Sequence, residues 1–247
     1  MTTAPDPAVV ATLHGRALSA WAEMMPRLVE PALVAAVDAA GRVILEALAD
    51  GHKLLIVGNG GSAAMSSHVA AEFAGKCVLD REPLPAISLA ESSTVITALG
   101  NDYGFDEVFA RGVRAHGRPG DVLLAMSTSG TSPNVVAALE VARERGLHTI
   151  LLTGESGVTD GSADHVLRAP SSYTPRIQEV HLMWSHAWCE GVDTAWVGRG
   201  WHGRSGTARG RSSSSLGPAR ATPTGPAATA VLMTWCSFRG QRRRWPG

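Results

Sequence analysis

Five short apolar runs, separated by turns and helical stretches, constrain the fold of this chain more than any other feature. Each run is apolar through most of its length, which is typical of a strand that is covered on both faces. Strands that alternate with helices indicate parallel connections and therefore a doubly wound α/β fold. The predicted strands are Lys53–Val57, Ala86–Leu89, Val122–Met126, Thr149–Leu152 and Val166–Arg168.

Helical spacing of apolar residues predicts helices on both sides of this region. Two of them precede the first strand and one follows the last. We therefore expect N-terminal helices over residues 1–50, packed on an α/β domain over residues 51–194. The predicted helices begin near Val9, Leu33 and Pro175, and Gly51 is expected at the C-cap of the second.

The charge distribution marks a boundary near residue 194. The chain has 22 basic and 22 acidic residues, but every acidic residue lies at or before Asp193, whereas nine basic residues follow it. The two parts therefore carry net charges of −9 and +9. Because residues 195–247 are rich in Arg, Gly, Ser and Pro, we expect a disordered tail that activity does not need. We do not expect nucleic-acid binding, since a solvated run of charge is the commoner role of such arginines.

Cysteine content and hydropathy indicate the cellular compartment of the protein. The three cysteines, Cys77, Cys189 and Cys236, are an odd number without CxxC spacing, so neither a disulfide framework nor a thiolate zinc site is predicted. The first residues lack the basic start and apolar run of a signal peptide, and no apolar run reaches the roughly 18 residues of a membrane span. We therefore expect a cytoplasmic protein without a membrane segment.

Two similar units of strand, loop and helix carry residues suited to binding a phosphorylated ligand. The first loop runs from Gly58 to Ser62, and the second runs from Ser127 to Ser132. Glycines allow a tight turn that exposes backbone N–H groups, and the helix N-terminus that follows adds a partial positive charge. Each loop alone is also explained as a capped turn. Two of them in one chain favour a ligand.

A nicotinamide-dependent oxidoreductase is a competing interpretation of the first loop. Residues 58–63 fit the GxGxx(G/A) spacing of dinucleotide-binding folds. Asp80 and Glu82 lie near the distance expected for an acid that binds the ribose, but they flank Arg81 in a loop that contains proline. The interpretation also leaves the serine-rich second loop unexplained.

Two pairs of polar residues stand at helical spacing. His68 and Glu72 are four apart, and Gln178 and His186 are eight apart, so each pair shares one helix face. An isolated pair of this kind is more often a surface hydrogen bond or ion pair than a site. His181 lies between the members of the second pair, and spacing alone leaves it either structural or functional.

Taken together, these segments resemble the sugar isomerase (SIS) domain proteins and, within them, the phosphoheptose isomerases. The resemblance spans about residues 40–192. It implies a flavodoxin-like, five-stranded parallel sheet and an aldose–ketose isomerase that converts D-sedoheptulose 7-phosphate to D-glycero-D-manno-heptose 7-phosphate, the first step of activated heptose biosynthesis. The matching segments are GNGGSAA with HVAAE, GNDYGFDEVFAR, AMSTSGTSPNVV, LLTGESG and RIQEVHLMWSH.

The resemblance also implies roles for individual residues. Glu72 and His186 match the residues that move protons. One zinc ion per subunit would be held by the residues that match His68, Glu72, Gln178 and His186. The implied substrate-binding residues are Asn59, Gly60, Gly61, Ser62, Glu72, Asn101, Asp102, Ser127, Thr128, Ser129, Ser132 and Gln178.

These groups suit the implied reaction. Converting a ketose to an aldose moves a proton between C1 and C2 through an enediol, which needs a base and an acid. Two imidazoles, a carboxylate and an amide form an N/O ligand set that zinc accepts, and a bound cation polarises a carbonyl. A non-catalytic alternative is a replication regulator that resembles the DnaA initiator-associating proteins, which share much of the same loop pattern. The family's shared active sites further imply a homo-oligomer, a homotetramer.

Overall fold

A five-stranded parallel sheet forms the centre of the molecule. In this computed structural model, which describes residues 8–157 and 161–197, the strand order is β2-β1-β3-β4-β5 and all neighbours are parallel. This order is the flavodoxin-like one, so the predicted fold class is confirmed. The strands are β1 Leu54–Gly58, β2 Ala86–Ser88, β3 Val122–Met126, β4 His148–Gly154 and β5 His165–Ala169.

Seven α-helices connect and flank these strands in the described residues, with one 3-10 turn at Phe105–Glu107. The two predicted N-terminal helices and the predicted last helix are all present. Gly51 follows the second helix with a φ of 79°, the left-handed conformation that glycine adopts after a helix end. The helices are α1 Ala8–Leu28, α2 Pro31–Ala49, α3 Gly61–Ala74, α4 Ser93–Tyr103, α5 Val108–His116, α6 Pro133–Glu144 and α7 Thr174–Trp196.

Helices cover both faces of the sheet. All five residues of β1 and of β3 are buried, as the continuous apolar runs predict. Side chains of successive strand residues point to opposite faces, so Leu54 and Ile56 of β1 pack with α1, α2, α3 and α7. Leu55 and Val57 pack on the other face with α5 and α6. The two helices that carry His68 and His186 thus lie on the same face.

No helix among residues 8–157 and 161–197 is long and apolar enough to cross a membrane. The predicted disordered tail, residues 195–247, lies outside the described residues from residue 198 onward, as does Cys236. Its first two residues are instead the end of α7, where Trp196 is buried in the core.

Candidate active site at the carboxyl edge of the sheet

The two predicted ligand loops lie side by side at the carboxyl ends of neighbouring strands. β1 and β3 pair in register so that Gly58 is opposite Met126, and the two loops leave the sheet at these residues. From β1 the chain passes to β2 on one side of the sheet and then to β3 on the other. The loops therefore flank a topological switch point, where open α/β sheets bind their ligands.

The first loop turns sharply into α3. Gly60 has a φ of +54°, which residues with side chains rarely adopt, and α3 begins at the next residue. The N–H of Ser62 donates to the carbonyl of Asn59 over 2.9 Å, and Ser62 is buried. The turn leaves the first N–H groups of a 14-residue helix at the carboxyl edge, and such groups attract anions.

The second loop brings hydroxyl groups to the N-terminus of α6. The hydroxyl oxygens of Ser127 and Ser132 are 3.0 Å apart, and the N–H of Gly130 donates to the Ser127 hydroxyl over 3.1 Å. Ser129 is exposed, and its hydroxyl accepts from the N–H of Thr131 over 3.2 Å. The loop thus presents several neutral donors next to a helix N-terminus, an arrangement suited to a phosphate group.

The two polar pairs predicted on α3 and α7 come together. His68 Nε2 lies 2.9 Å from His186 Nε2 and 3.8 Å from Glu72 Oε1. The planes of the two imidazole rings make an angle of 78°. Glu72 is the more covered of the α3 pair, since its side chain is 18% exposed against 46% for His68. A carboxylate and two imidazoles on α3 and α7 therefore lie close together, although His68 and His186 are 118 residues apart in the chain.

Gln178 joins the same region through contact with the first loop. A Cβ atom placed on Gly61 would lie 2.7 Å from Gln178 Nε2 and 2.9 Å from Gln178 Oε1. A side chain at position 61 would therefore displace the Gln178 amide, so glycine permits the close approach seen here. Gln178 and His186 bring α7 against both the first loop and the middle of α3.

The donor set is chemically suited to a zinc ion. Two nitrogens that bind one tetrahedral zinc at about 2.0–2.1 Å are roughly 3.3 Å apart, close to the 2.9 Å between His68 Nε2 and His186 Nε2. Burial raises the pKa of the Cys77 thiol to about 12, and its hydrogen bond with the Glu72 carboxylate adds to the effect. In residues 8–157 and 161–197, no three His, Cys, Asp or Glu side chains already stand in a metal-holding cluster.

Asn101 and Asp102 lie on a different element from the other predicted residues. They are exposed near the end of α4, where the Asn101 amide donates to the Asp102 carboxylate over 2.8 Å. Within residues 8–157 and 161–197, no hydrogen bond or ion pair joins this pair to the two loops or to α7. Their predicted contact with the sugar therefore stays a prediction.

His181 has a structural environment. It is fully buried, and its Nε2–H donates to the carbonyl of Thr153 over 3.1 Å. Burial lowers the pKa of His181 to about 4, against the opposing effect of that hydrogen bond, so the ring is neutral near pH 7. Of the two interpretations that spacing left open, the geometry favours the structural one.

Comparison with known proteins agrees with this architecture. A family profile described as "SIS domain" matches residues 20–154. A phosphoheptose isomerase of Bradyrhizobium sp. (strain ORS 278) is 50% identical over 175 residues, which is 70% of this chain and 88% of the relative. One of Bordetella avium is 44% identical over 191 residues, 76% of this chain and 95% of the relative. The chain belongs to the phosphoheptose isomerase family.

Solved structures of phosphoheptose isomerases are similar along most of their length. The enzyme of Neisseria gonorrhoeae is 40% identical with a TM-score of 0.66, covering 76% of this chain and 98% of that one. The enzyme of Francisella tularensis is 31% identical with the same TM-score, covering 77% and 100%. These matches favour an aldose–ketose isomerase over a replication regulator. The strand order likewise departs from the dinucleotide-binding order 3-2-1-4-5-6.

A buried ion pair, which sequence reasoning missed, joins the two site helices. One Asp193 oxygen accepts from the N–H groups of residues 77–79 over 2.7–3.0 Å, and the other accepts from Arg81 Nε over 2.8 Å. Arg81 also donates to the carbonyl of Glu72 over 2.9 Å. Both charged side chains are 0% exposed. This cluster, the Arg81–Asp193 contact, holds the end of α3 against the end of α7.

Proposed function

We propose that the chain interconverts D-sedoheptulose 7-phosphate and D-glycero-D-manno-heptose 7-phosphate, which is an aldose–ketose isomerisation at the head of activated heptose biosynthesis. The observation that carries the proposal is the meeting of Glu72, His68 and His186 next to two loops built for a phosphorylated ligand. Membership of the phosphoheptose isomerase family supports the same substrate class.

The phosphate is assigned to the second loop. The hydroxyls of Ser127, Ser129 and Ser132, next to the N-terminus of α6, supply donors without a formal charge. With Thr128, they would hold the phosphate at one end of the crevice. The first loop, residues 59–62, and Gln178 then meet the sugar. This division places the reacting carbons, at the far end of a seven-carbon chain, beside Glu72 and His186.

Glu72 and His186 are assigned the proton transfers. The base removes a proton from C1 of the ketose, the enediol forms, and a proton is delivered to C2 to give the aldose. The proton of the O1 hydroxyl leaves as the C1 carbonyl forms, and O2 receives one as its carbonyl becomes a hydroxyl. A carboxylate and an imidazole on facing helices can exchange these protons without a large movement of either helix.

We further propose that the site holds one zinc ion, with His68, Glu72, Gln178 and His186 as its protein ligands. The donor types and the approach of the two imidazole nitrogens support this assignment. A cation bound there would polarise the substrate carbonyl and stabilise negative charge on the enediolate. The protein itself shields Glu72 from bulk water, since its side chain is largely covered.

Assembly and location extend the proposal. The N-terminal helix α1 leaves Val9, Val10, Leu13 and Leu18 exposed, and a monomer rarely shows a long apolar stripe to water. We propose a homotetramer, which light scattering tests, and a clean monomer with full activity would contradict it. Cys77 and Cys189 are free thiols, which supports a cytoplasmic location.

The substitution Glu72→Gln tests the proposed function most directly. It keeps the shape of the side chain but removes the base, so turnover of sedoheptulose 7-phosphate should fall by about 10²–10⁴-fold. Binding, measured by calorimetry, should be retained because the phosphate loop is untouched. The matched control is Glu140→Gln, which changes an exposed carboxylate on α6. Near-normal turnover by Glu72→Gln would contradict the mechanism, and an inactive wild type would favour the non-catalytic alternative.

A further inference from the structure

A pair of amide side chains connects the two ligand loops across the crevice. Asn59 Nδ2 donates to Asn134 Oδ1 over 2.8 Å, and Asn134 Nδ2 donates to Asn59 Oδ1 over 2.9 Å. The residues are 75 positions apart. Asn59 belongs to the first loop, and Asn134 is the second residue of α6, directly after the serine-rich loop. The pair therefore fixes the separation of the two loops.

The geometry of this pair makes it a support for one particular side chain. Asn134 is 1% exposed, so it has no access to a ligand in the crevice. Asn59 is only partly covered. Each primary amide has two N–H donors and two acceptor lone pairs, and the pair uses one of each on Asn59. One N–H and one lone pair of Asn59 remain for a sugar hydroxyl.

The pair also links the two faces of the sheet. α3, which follows Asn59, packs on one face, whereas α6, which contains Asn134, packs on the other. A reciprocal pair of hydrogen bonds holds both amide planes, whereas a single bond would leave each amide free to rotate. An unpaired amide at Asn134 would be buried without a partner, which costs more than the bond itself contributes.

We propose that Asn134 is a positioning residue for the isomerase reaction, which acts by orienting the Asn59 amide toward the sugar. It sets the position of the first loop relative to the phosphate at the start of α6. The proposal rests on the proposed function, because it takes Asn59 as a contact of the sugar phosphate. It assigns no contact between Asn134 and the substrate.

A double-mutant cycle tests the proposal. Asn134→Ala should lower kcat/KM by about 10- to 100-fold, since small misplacements of binding groups have effects of this size. If Asn134 acts through Asn59, the same substitution in an Asn59→Ala background should change kcat/KM by less than about twofold. Equal fold-losses in the two backgrounds, or no loss in the first, would overturn the proposal.

A neighbouring core residue provides the matched control for general loosening of α6. Val135 is also 1% exposed, but its side chain is apolar and packs in the core on the face of the sheet covered by α5 and α6. Val135→Ala should lower the thermal midpoint while kcat/KM stays within about twofold of the wild type. A loss of kcat/KM equal to that of Asn134→Ala would mean that helix stability explains the effect and would overturn the proposal.

Two further measurements cover the cases in which Asn134→Ala does not fold or the wild type shows no turnover. If Asn134→Ala does not fold, Asn134→Ser replaces it in the cycle, because serine is small but cannot form the two-bond pair. Turnover by the wild type tests the proposed function separately. If the wild type does not turn over, the cycle is measured in the Kd of sedoheptulose 7-phosphate. Asn134→Ala should then weaken binding in the wild-type background but not in the Asn59→Ala background. Equal losses of affinity in both backgrounds would overturn the proposal.

Discussion

Replacing Asp193 with asparagine tests how strongly the Arg81–Asp193 contact stabilises the fold. The side chain is fully buried and accepts four hydrogen bonds, three from the N–H groups of residues 77–79 and one from Arg81. Asparagine has the same shape but only one acceptor oxygen. Whichever way the amide faces, its NH2 group points at a donor, and the Arg81 guanidinium loses its buried counter-charge.

The expected loss of stability is large. Removing one partner of a buried ion pair costs about 3–5 kcal/mol, which is a large part of the roughly 5–15 kcal/mol that holds a domain folded. For a chain of this size each kcal/mol lowers the thermal midpoint by about 2–4 °C, so the midpoint should fall by roughly 6–20 °C. Denaturant unfolding at a fixed protein concentration measures the change directly.

The stability difference should depend on pH in one direction. Burial alone would raise the pKa of Asp193, but the N–H groups of Val78 and Leu79 and the charge of Arg81 together hold it below its usual value of 3.8. A depressed pKa means that the stabilisation is complete above the unfolded-state value and is lost as pH falls through the folded one. The gap between wild type and Asp193→Asn should be constant from pH 5 to 8 and shrink below about pH 4.

A surface ion pair provides the comparison. Arg114 and Glu107 are 2.6 Å apart, with side chains 48% and 39% exposed, so Glu107→Gln should cost less than about 1 kcal/mol. If Asp193→Asn proves as mild as Glu107→Gln, then the buried contact does not stabilise the fold and the reasoning is wrong.

Three other predictions concern the site and the tail. Changing Ser129 and Ser132 together to alanine should raise KM about 10- to 100-fold through lost phosphate contacts. The thermal midpoint should fall by only a few degrees, because the neutral hydrogen bond between the Ser127 and Ser132 hydroxyls is lost but no helix cap is. An unchanged KM would contradict the phosphate assignment. Removal of metal by a chelator should abolish turnover, which added zinc should restore; full activity in metal-free protein by elemental analysis would argue against a metal role. Deletion of residues 198–247 should leave kcat/KM and solubility unchanged, and aggregation of the shortened chain would show that the tail is structural.

The strands could be predicted closely from the sequence because their signal is local. Each predicted run matches an observed strand, and the differences are confined to strand ends. β4, for example, starts one residue earlier and ends two residues later than the apolar run Thr149–Leu152. Its extra residues form part of the parallel ladder, since His148 pairs with Val122 and Gly154 with Ala169. Neighbouring strands, rather than the strand's own composition, decide such ends.

The supporting contacts of the site could not be predicted, because they join distant residues of ordinary type. Asn134 stood inside a recognised segment, but its partner lies 75 residues away and nothing local indicates the pairing. Arg81 lies between two acidic residues in a loop that contains proline, and nothing in that loop indicates that the structure buries its side chain completely. The close approach of His68 and His186 could be predicted only from the family resemblance, since the two histidines lie far apart in the sequence.

The position of Asp193 affects how other members of the family should be judged from sequence alone. The segments by which the family is recognised here end at His186, so a shortened relative could contain every one of them and still lack this aspartate. Such a chain would keep its ligand loops and its histidines, yet the loop over residues 77–79 would lose its acceptor and Arg81 its counter-charge. Gene boundaries drawn just after the final histidine motif would therefore describe a protein whose site helices are held together only by their remaining apolar and polar contacts.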